Sequence, residues 1–465
     1  MFGRNSPRRP AVLVWCCFFL PLAANTGLAQ RPPVPAINLS YLRIDFISPA
    51  ARPAALGGAF IAAAQDESAA PINPAGLVYL KQAGASLHQR TASIEYSEPD
   101  GSLLDPDRRR TFRRNEFDQT MVSVFVPLKR FTAAIFRQDA FDSRFEFETE
   151  QFLTGNSSPS VRQALGGLGN FPGRRVDLGL QMLNDAAALA FKVARRWSLG
   201  VSAKVSMLRL KLDEQTYLDP EIIQGTPPRG NLAETTYSIT TSDERKTELS
   251  YSFGVMGNVI LDRLFVGAVF NQNPSFDLET NVFLPAYRVG SQRFPAAEAG
   301  DTRFRLSVPD SYGFGLYFLA TSRIRFSLDL LRVEYTDLLS GNNLNVAADD
   351  VLNPQTGRYE DPDGRPDLTV SDATEIHFGV ELLYKMPKLG LMPMRFGLYT
   401  DPQHRIHAAS SEPDLRRLFP KMKDRTHFTF GLGFILNSYL KFDGSVDASG
   451  DGVELTGSTL LTVPL

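Results

Sequence analysis

Cysteine is nearly missing from this chain: its 465 residues hold two, adjacent at Cys16 and Cys17. Both sit in what reads as an export signal over residues 1–29. Arg4, Arg8 and Arg9 give it a positive start, residues 11–24 an apolar middle, and Gly27 and Ala29 a cleavage site before Gln30. A membrane-spanning helix is the alternative, but the run is shorter than the roughly 20 apolar residues that a crossing needs. Trp15 stands before Cys16, where a lipoprotein signal requires a small residue. Both cysteines therefore leave with the signal, and disulfides, thiolate metal sites and cysteine nucleophiles are excluded. Charge of either sign is not in excess: the net charge is −2, which gives no footing for nucleic acid. Histidine is scarce, at positions 88, 377, 404, 407 and 427, and no serine or carboxylate arrangement marks a triad or dyad. The chain reads as no enzyme, with no cofactor and no metal. Beyond the signal no apolar run is long enough for a membrane helix.

What is abundant is Phe, 33 residues, and Gly, 35, often at alternating positions. In 426–436, Phe428, Phe430, Leu432, Phe434 and Leu436 oppose Thr429, Gly431 and Gly433. In 198–207, Leu199, Val201, Ala203 and Val205 oppose Gly200, Ser202 and Lys204. This period of two carries a uniformly apolar face. Fourteen such segments are expected, at 81–97, 116–127, 130–152, 175–193, 196–212, 246–260, 263–282, 302–319, 323–338, 373–385, 392–400, 425–437, 439–448 and 452–464. Their connections alternate between short turns and long polar loops, and an even strand count with that alternation is the pattern of a transmembrane antiparallel β-barrel in the outer membrane. A soluble sandwich is the alternative, but it has no reason to sort loop length by parity. Phe326, Leu328 and Leu330 share a face that Leu331, Val333 and Tyr335 then take over, which predicts a β-bulge near Leu330.

Fourteen strands enclose more space than their own side chains fill. The segment "AARPAALGGAFIAAAQDESAAPINPAGL" at 51–77 is rich in small residues that allow close approach to a wall. We therefore expect three parts: the signal at 1–29, an N-terminal plug or hatch at 30–80, and the barrel at 81–465. A disordered tail is the alternative for the second, but Leu56, Phe60, Ile61, Ile72, Leu77 and Leu80 call for burial. Asn73, Pro74, Ala75 and Gly76 form its stop-and-turn signal and the candidate gate.

That hatch segment resembles the outer-membrane transport proteins related to the long-chain fatty acid transporter and the toluene-uptake channels. "VPDSYGFGLYF" at 308–318, "FSLDLLRVEY" at 326–335, "MPMRFGLYTDP" at 392–402 and "THFTFGLGF" at 426–434 are similar too. The resemblance implies a monomeric fourteen-stranded barrel plugged by its N-terminus. It implies passive uptake of fatty acids or hydrocarbons, in several members with exit sideways through the wall. A related branch serves protein secretion as a surface carrier, and a structural barrel is a further alternative. In the fatty acid branch a kink in the third strand opens the wall; strand 130–152 here has no Gly to mark one. The chain ends in Pro464 and Leu465, not in the aromatic residue usual for recognition by the barrel assembly machinery.

Alternation points Lys204, Asp329, Arg332, Glu334, His377, Glu381 and Arg395 into the lumen. Such charges need partners or water. Lys204, Arg332, His377 and Arg395 are the cations that could hold a substrate carboxylate. Leu165, Leu168 and Phe171 form an apolar patch in an outer loop that could capture a greasy ligand, or could serve simple loop packing. Arg108, Arg109, Arg110, Arg113 and Arg114 crowd the first outer loop and suit lipopolysaccharide phosphates, with a solvated charge run as the alternative. His404 with His407 reads as a solvated pair, and "EDPDGRPD" at 360–367 as an acidic turn. The expected partners are the bilayer, lipopolysaccharide, a hydrophobic small molecule and the assembly machinery.

Overall fold

Sixteen strand segments form one antiparallel sheet that closes on itself as a fourteen-stranded barrel. They are β1 (Ala83–Pro99), β2 (Arg109–Leu128), β3 (Phe131–Thr149), β4 (Gly173–Ala194), β5 (Trp197–Tyr217), β6 (Thr236–Ile260), β7 (Leu264–Gln272) and β8 (Ser275–Leu284). The rest are β9 (Ala297–Ser307), β10 (Ser311–Leu319), β11 (Ile324–Val333), β12 (Ala373–Met386), β13 (Gly390–Asp401), β14 (Arg425–Ile435), β15 (Leu440–Ser449) and β16 (Gly452–Val463). The structure is a computed structural model and describes residues 44, 46 and 48–463, apart from 101–107, 150–151, 154–169, 172, 218–235, 286, 290–291, 341–350, 354–357, 361–367, 387–389, 410–415, 418, 437–438 and 451. The signal at 1–29, the turn at 361–367, Leu165 and Leu168 lie outside the described residues, as does the side chain of Phe171. Closure runs from Ala83 opposite Val463 to Ile94 opposite Gly452.

Two expected strands are each split at a proline, which has no N–H to give the ladder. Asn273 and Pro274 separate β7 from β8; Val308, Pro309 and Asp310 separate β9 from β10. The breaks face each other and are tied together: Val308 N donates to Pro274 O (3.0 Å) and Asn273 N to Asp310 Oδ1 (2.6 Å). Short turns join β2 to β3 and β6 to β7, with Lys129 and Asp262 in the left-handed region that such tight hairpins require.

Outward residues of the short-turn half are apolar and exposed, among them Leu199, Val201, Val205, Phe314, Phe326, Phe378, Phe430 and Phe434. Their inward neighbours are buried and polar or tiny. This belt is what hydrocarbon requires of a barrel wall.

Further along the same strands the sidedness inverts. On β5 the inward series Ser202, Lys204, Ser206 becomes Leu208, Leu210, Leu212, while outward Leu199, Val201, Val205 become Arg209, Lys211 and Asp213. On β4, Val176, Leu178, Leu180 and Met182 point in, and Arg175 and Asp177 point out. The bulge expected near Leu330 is absent for this reason. Leu330 pairs with Phe314 and Ile376, and Val333 with Ser311 and Ala373, with no shift of register between. Only the polarity of the interior changes, so Leu331 and Val333 keep the inward parity of Asp329. The strands also run past their predicted ends here: β2 begins at Arg109, so most of the arginine cluster is strand and not loop.

A seam interrupts the wall between β2 and β3. β2 and β3 pair only from Leu128 opposite Phe131 to Met121 opposite Gln138. Beyond that β3 slips register between Asp139 and Phe141 and continues with β4, while β2 continues with β1. The third strand is thus irregular without any Gly. Side chains bridge the seam: Tyr96 Oη donates to Glu146 O (2.6 Å) and accepts from Glu146 N (3.0 Å).

Candidate functional site: a docked hatch beneath an apolar chamber

Residues 48–80 fold into the lumen as α1 (Ala51–Ala55), α2 (Ala69–Ile72) and a 3-10 turn (Pro74–Tyr79). Helices this short cannot hold themselves in water; the wall supplies what they lack. Asp329 accepts from Phe60 N and Ile61 N (2.5 and 2.6 Å), and Ser458 Oγ accepts from Ala51 N (2.9 Å). Thr429 donates to Ala55 O (3.0 Å), Ser198 to Ala75 O (2.9 Å) and Ser202 to Ala70 O (3.3 Å). These donors and acceptors come from strands all round the barrel. They account for the polar inward faces of the short-turn half, because buried backbone groups must be paired.

Asn73, Pro74, Ala75 and Gly76 are buried against β5 and β6. Asn73 Nδ2 donates to Ile61 O (2.8 Å) and Val255 O (3.3 Å), and its Oδ1 caps the turn by accepting from Ala75 N (3.2 Å). Inward glycines of the wall make the room: a Cβ on Gly200 would collide with Ala75, and one on Gly254 with Asn73. Gly57 and Gly58, both at positive φ, abut Leu398 and His377 in the same way.

Arg395 and Glu381 anchor the opposite side. Arg395 donates to Glu381 (2.8 Å) and Asp443 (2.6 Å), and Glu381 also receives Arg52 (3.3 Å) and Arg325 (3.0 Å). Arg52 in turn reaches Asp66 (2.8 Å). Burial alone would raise the Asp66 carboxyl, but Arg52, Lys441 and Ser68 outweigh it and hold it well below the ordinary range. Its neighbour Glu67 has a carboxylate oxygen with no hydrogen-bond partner among the described residues. Burial first, then Asp66 and Asp443, push it up to about 7 against the pull of Lys441. His377 donates through Nδ1 to Gly57 O (2.6 Å) and binds Glu375 through Nε2 (3.0 Å).

Of the four cations expected in the lumen, Arg395 and His377 are inside but serve the hatch. Arg332 is not inside: it shares the outward parity of Leu330 and binds Thr374 (3.0 Å) and Asp372 (3.0 Å). Glu334 lies just past the end of β11, ahead of a 3-10 turn, and both were expected in the lumen because a bulge was expected near Leu330. Lys204 remains. It is buried and inward, and has no hydrogen bond or ion pair among the described residues. Its place is at the inversion, two residues below Ser206 and four below Leu208.

Above it lies an apolar interior contributed by Phe141, Phe145, Leu178, Leu180, Leu210 and Leu278 with their neighbours. Ile44, Tyr335, Leu338, Leu368, Ile406 and Phe419 close it from the loop side. Sequence reasoning missed this packed apolar interior, hereafter the chamber. The signal was present as the change of parity on β4, β5 and β11.

The arginine cluster is partly paired, Arg108 with Asp100 (2.7 Å), Arg113 with Glu95 and Arg114 with Glu116 (3.0 Å). His404 binds Asp401 (3.2 Å) and stacks on Tyr335 with ring centroids 4.3 Å apart. Among the described residues two carboxylate clusters, which the sequence did not reveal, gather within 4.8 Å: Asp118, Asp139, Asp142 and Asp310, Glu334, Asp337.

No family model matches the chain, and no characterised protein matches it by sequence. Solved structures match it by fold. The CymD monoaromatic hydrocarbon channel is 13% identical with a TM-score of 0.56, over 91% of this chain and 100% of that one. A Pseudomonas aeruginosa FadL homologue is 15% identical with a TM-score of 0.55, over 90% and 98%. The Ralstonia pickettii toluene transporter TbuX is 15% identical with a TM-score of 0.52, over 90% and 99%. The chain shares the barrel fold of these channels.

Proposed function

We propose that the protein is a passive outer-membrane channel for small hydrophobic molecules, with the hatch as its gate. The observation that carries this reading is the inverted interior. A channel for water-soluble solutes keeps a polar lumen, whereas here the loop-side interior along β3, β4, β5 and β8 is lined with Phe, Leu, Val and Met, with buried polar groups such as Arg90 and Glu116 on β1 and β2. Apolar molecules entering from the loops exchange water for that lining, at about 25 cal/mol per Å² of apolar surface buried. The loop residues that close the chamber are what they displace. The seam between β2 and β3 is the break in the wall through which a ligand leaves sideways.

Lys204 sharpens the reading to amphipathic acids such as long-chain fatty acids. An unpaired buried ammonium is unfavourable by several kcal/mol, and a carboxylate arriving at the foot of the chamber offsets this. The tail then lies along Leu208, Leu210 and Leu212, with the hatch directly beneath at Ser202 and Ala70. Uptake of a labelled long-chain fatty acid and of toluene should be compared for the natural protein and Lys204→Met. We expect fatty acid uptake to fall about tenfold and toluene uptake to be unchanged. Equal loss of both would remove Lys204 from ligand binding, and no uptake of either by the natural protein would contradict the channel itself.

A further inference from the structure

Outside the barrel, beside the seam, an open groove of about 490 Å³ is lined by Arg113, Arg114, Arg144, Arg209 and Lys211 against two carboxylates, Glu146 and Asp177. Its floor is Gly179, which pairs with Arg144 on one side and Lys211 on the other, so that two cations flank a position with no side chain. One pair further down, Arg209 stands directly opposite both Gln181 and Arg245. Like charges facing each other across a ladder are destabilising. Neither Arg209 nor Arg245 has a hydrogen bond or ion pair among the described residues, and both are exposed. The other cations of the groove each have a carboxylate partner: Arg113 with Glu95, Arg114 with Glu116 (3.0 Å), Arg144 with Asp142 (2.6 Å) and Lys211 with Asp177 (3.0 Å), which leaves Arg209 and Arg245 as the pair to be satisfied.

The height of the groove is also informative. Val205 and Leu249, ladder partners at the top of the exposed apolar belt, lie four residues along β5 and β6 from Arg209 and Arg245. At about 3.3 Å per residue along tilted strands, the arginines stand roughly 10 Å above hydrocarbon. That is the depth of lipid phosphates, on the side of the long loops.

We propose that this groove, with Arg245 adjoining it through its ladder partner Arg209, docks the phosphates of a phosphorylated glycolipid of the outer leaflet. Guanidinium forks bind phosphate oxygens in pairs, and one phosphate between Arg209 and Arg245 turns their repulsion into a shared contact. The lipid's acyl chains then lie along the belt below, over Val205 and Leu249, beside the seam. The proposal rests on the outer-membrane placement but not on hydrophobic transport.

The test measures binding of bis-phosphorylated lipid A to the detergent-purified full-length protein by native mass spectrometry. Dephosphorylated lipid A and inorganic phosphate serve as competing probes. We expect Arg209→Ala with Arg245→Ala to weaken lipid A about tenfold. The corresponding double Lys variant, which keeps the charge but not the paired guanidinium contacts, should bind at an intermediate level, and Lys129→Ala, on the short-turn side, should behave as the natural protein. Both arginines are exposed on paired strands, so heat-modifiable migration should confirm an intact barrel in every variant. Unchanged lipid A binding in the double Ala variant would overturn the proposal, as would equal binding of the dephosphorylated lipid. Complete displacement by inorganic phosphate at equal concentration would show a free-anion site and overturn the lipid assignment.

Discussion

Glu67 and Gly200 show how single residues set the behaviour of the hatch. Glu67 is buried beside Asp66 and Asp443, and its carboxyl is raised from 4.5 to about 7. A carboxyl raised on folding stabilises the docked state most while protonated, below its unfolded value, and that contribution is lost as pH rises through 7. Asp66 acts in the opposite sense: its lowered carboxyl supports docking throughout neutral pH and fails only in strong acid. Amide protection factors over residues 51–72, that is, the base-catalysed rate of an open chain divided by the observed exchange rate at the same pH, should therefore be higher at pH 5 than at pH 8, and Glu67→Gln should abolish that difference in protection. A Glu67→Gln protein whose protection keeps the same pH dependence would place its origin elsewhere. Gly200→Val drives a branched side chain into Ala75 and should free the hatch while β5 stays paired. Phe430→Arg puts a charge into the belt, at about 2–4 kcal/mol near the bilayer midplane, read as lost heat resistance of the folded band. Residue faces were legible in the sequence wherever one face was apolar, as for Phe430 and Val201. They were lost where both faces carried polar groups, as for Arg332.

At the scale of elements, the hatch is the part whose presence the sequence announced and whose fixation it concealed. Small residues and Asn73 marked a plug. Nothing in a linear sequence connects Asp329 to Phe60, or Ser458 to Ala51, because those contacts are set by closure of the barrel. Every barrel ladder lies outside residues 45–80, so removing that segment should leave the barrel assembled and leaking larger polar solutes. Failure to assemble would make the hatch a folding element, and assembly without leak would deny that it plugs anything. The strand extensions of β2, β5 and β6 were invisible for a related reason. Beyond the belt their outward faces are charged and their inward faces apolar, so a pattern written for lipid outside ends where lipid ends. Pro274 and Pro309 break two strands that the sequence reading ran straight through, and the structure shows that the two breaks face each other.

For the whole molecule, alternation and loop parity were enough to give a closed barrel of fourteen strands, since the belt must satisfy hydrocarbon on its entire circumference. The interior was not legible, because the lumen is polar around the hatch and apolar above it, and one rule does not cover both. The central claim is that the apolar chamber holds hydrophobic molecules. It is tested most directly by extraction and mass spectrometry of what the detergent-purified protein retains, compared with Leu180→Gln combined with Leu210→Gln, two chamber residues that are ladder partners. The account predicts fatty acids or hydrocarbons in near-stoichiometric amount with the natural protein and several-fold less with the variant, at equal heat-modifiability. Equal retention by both, or detergent alone in the natural protein, would contradict it.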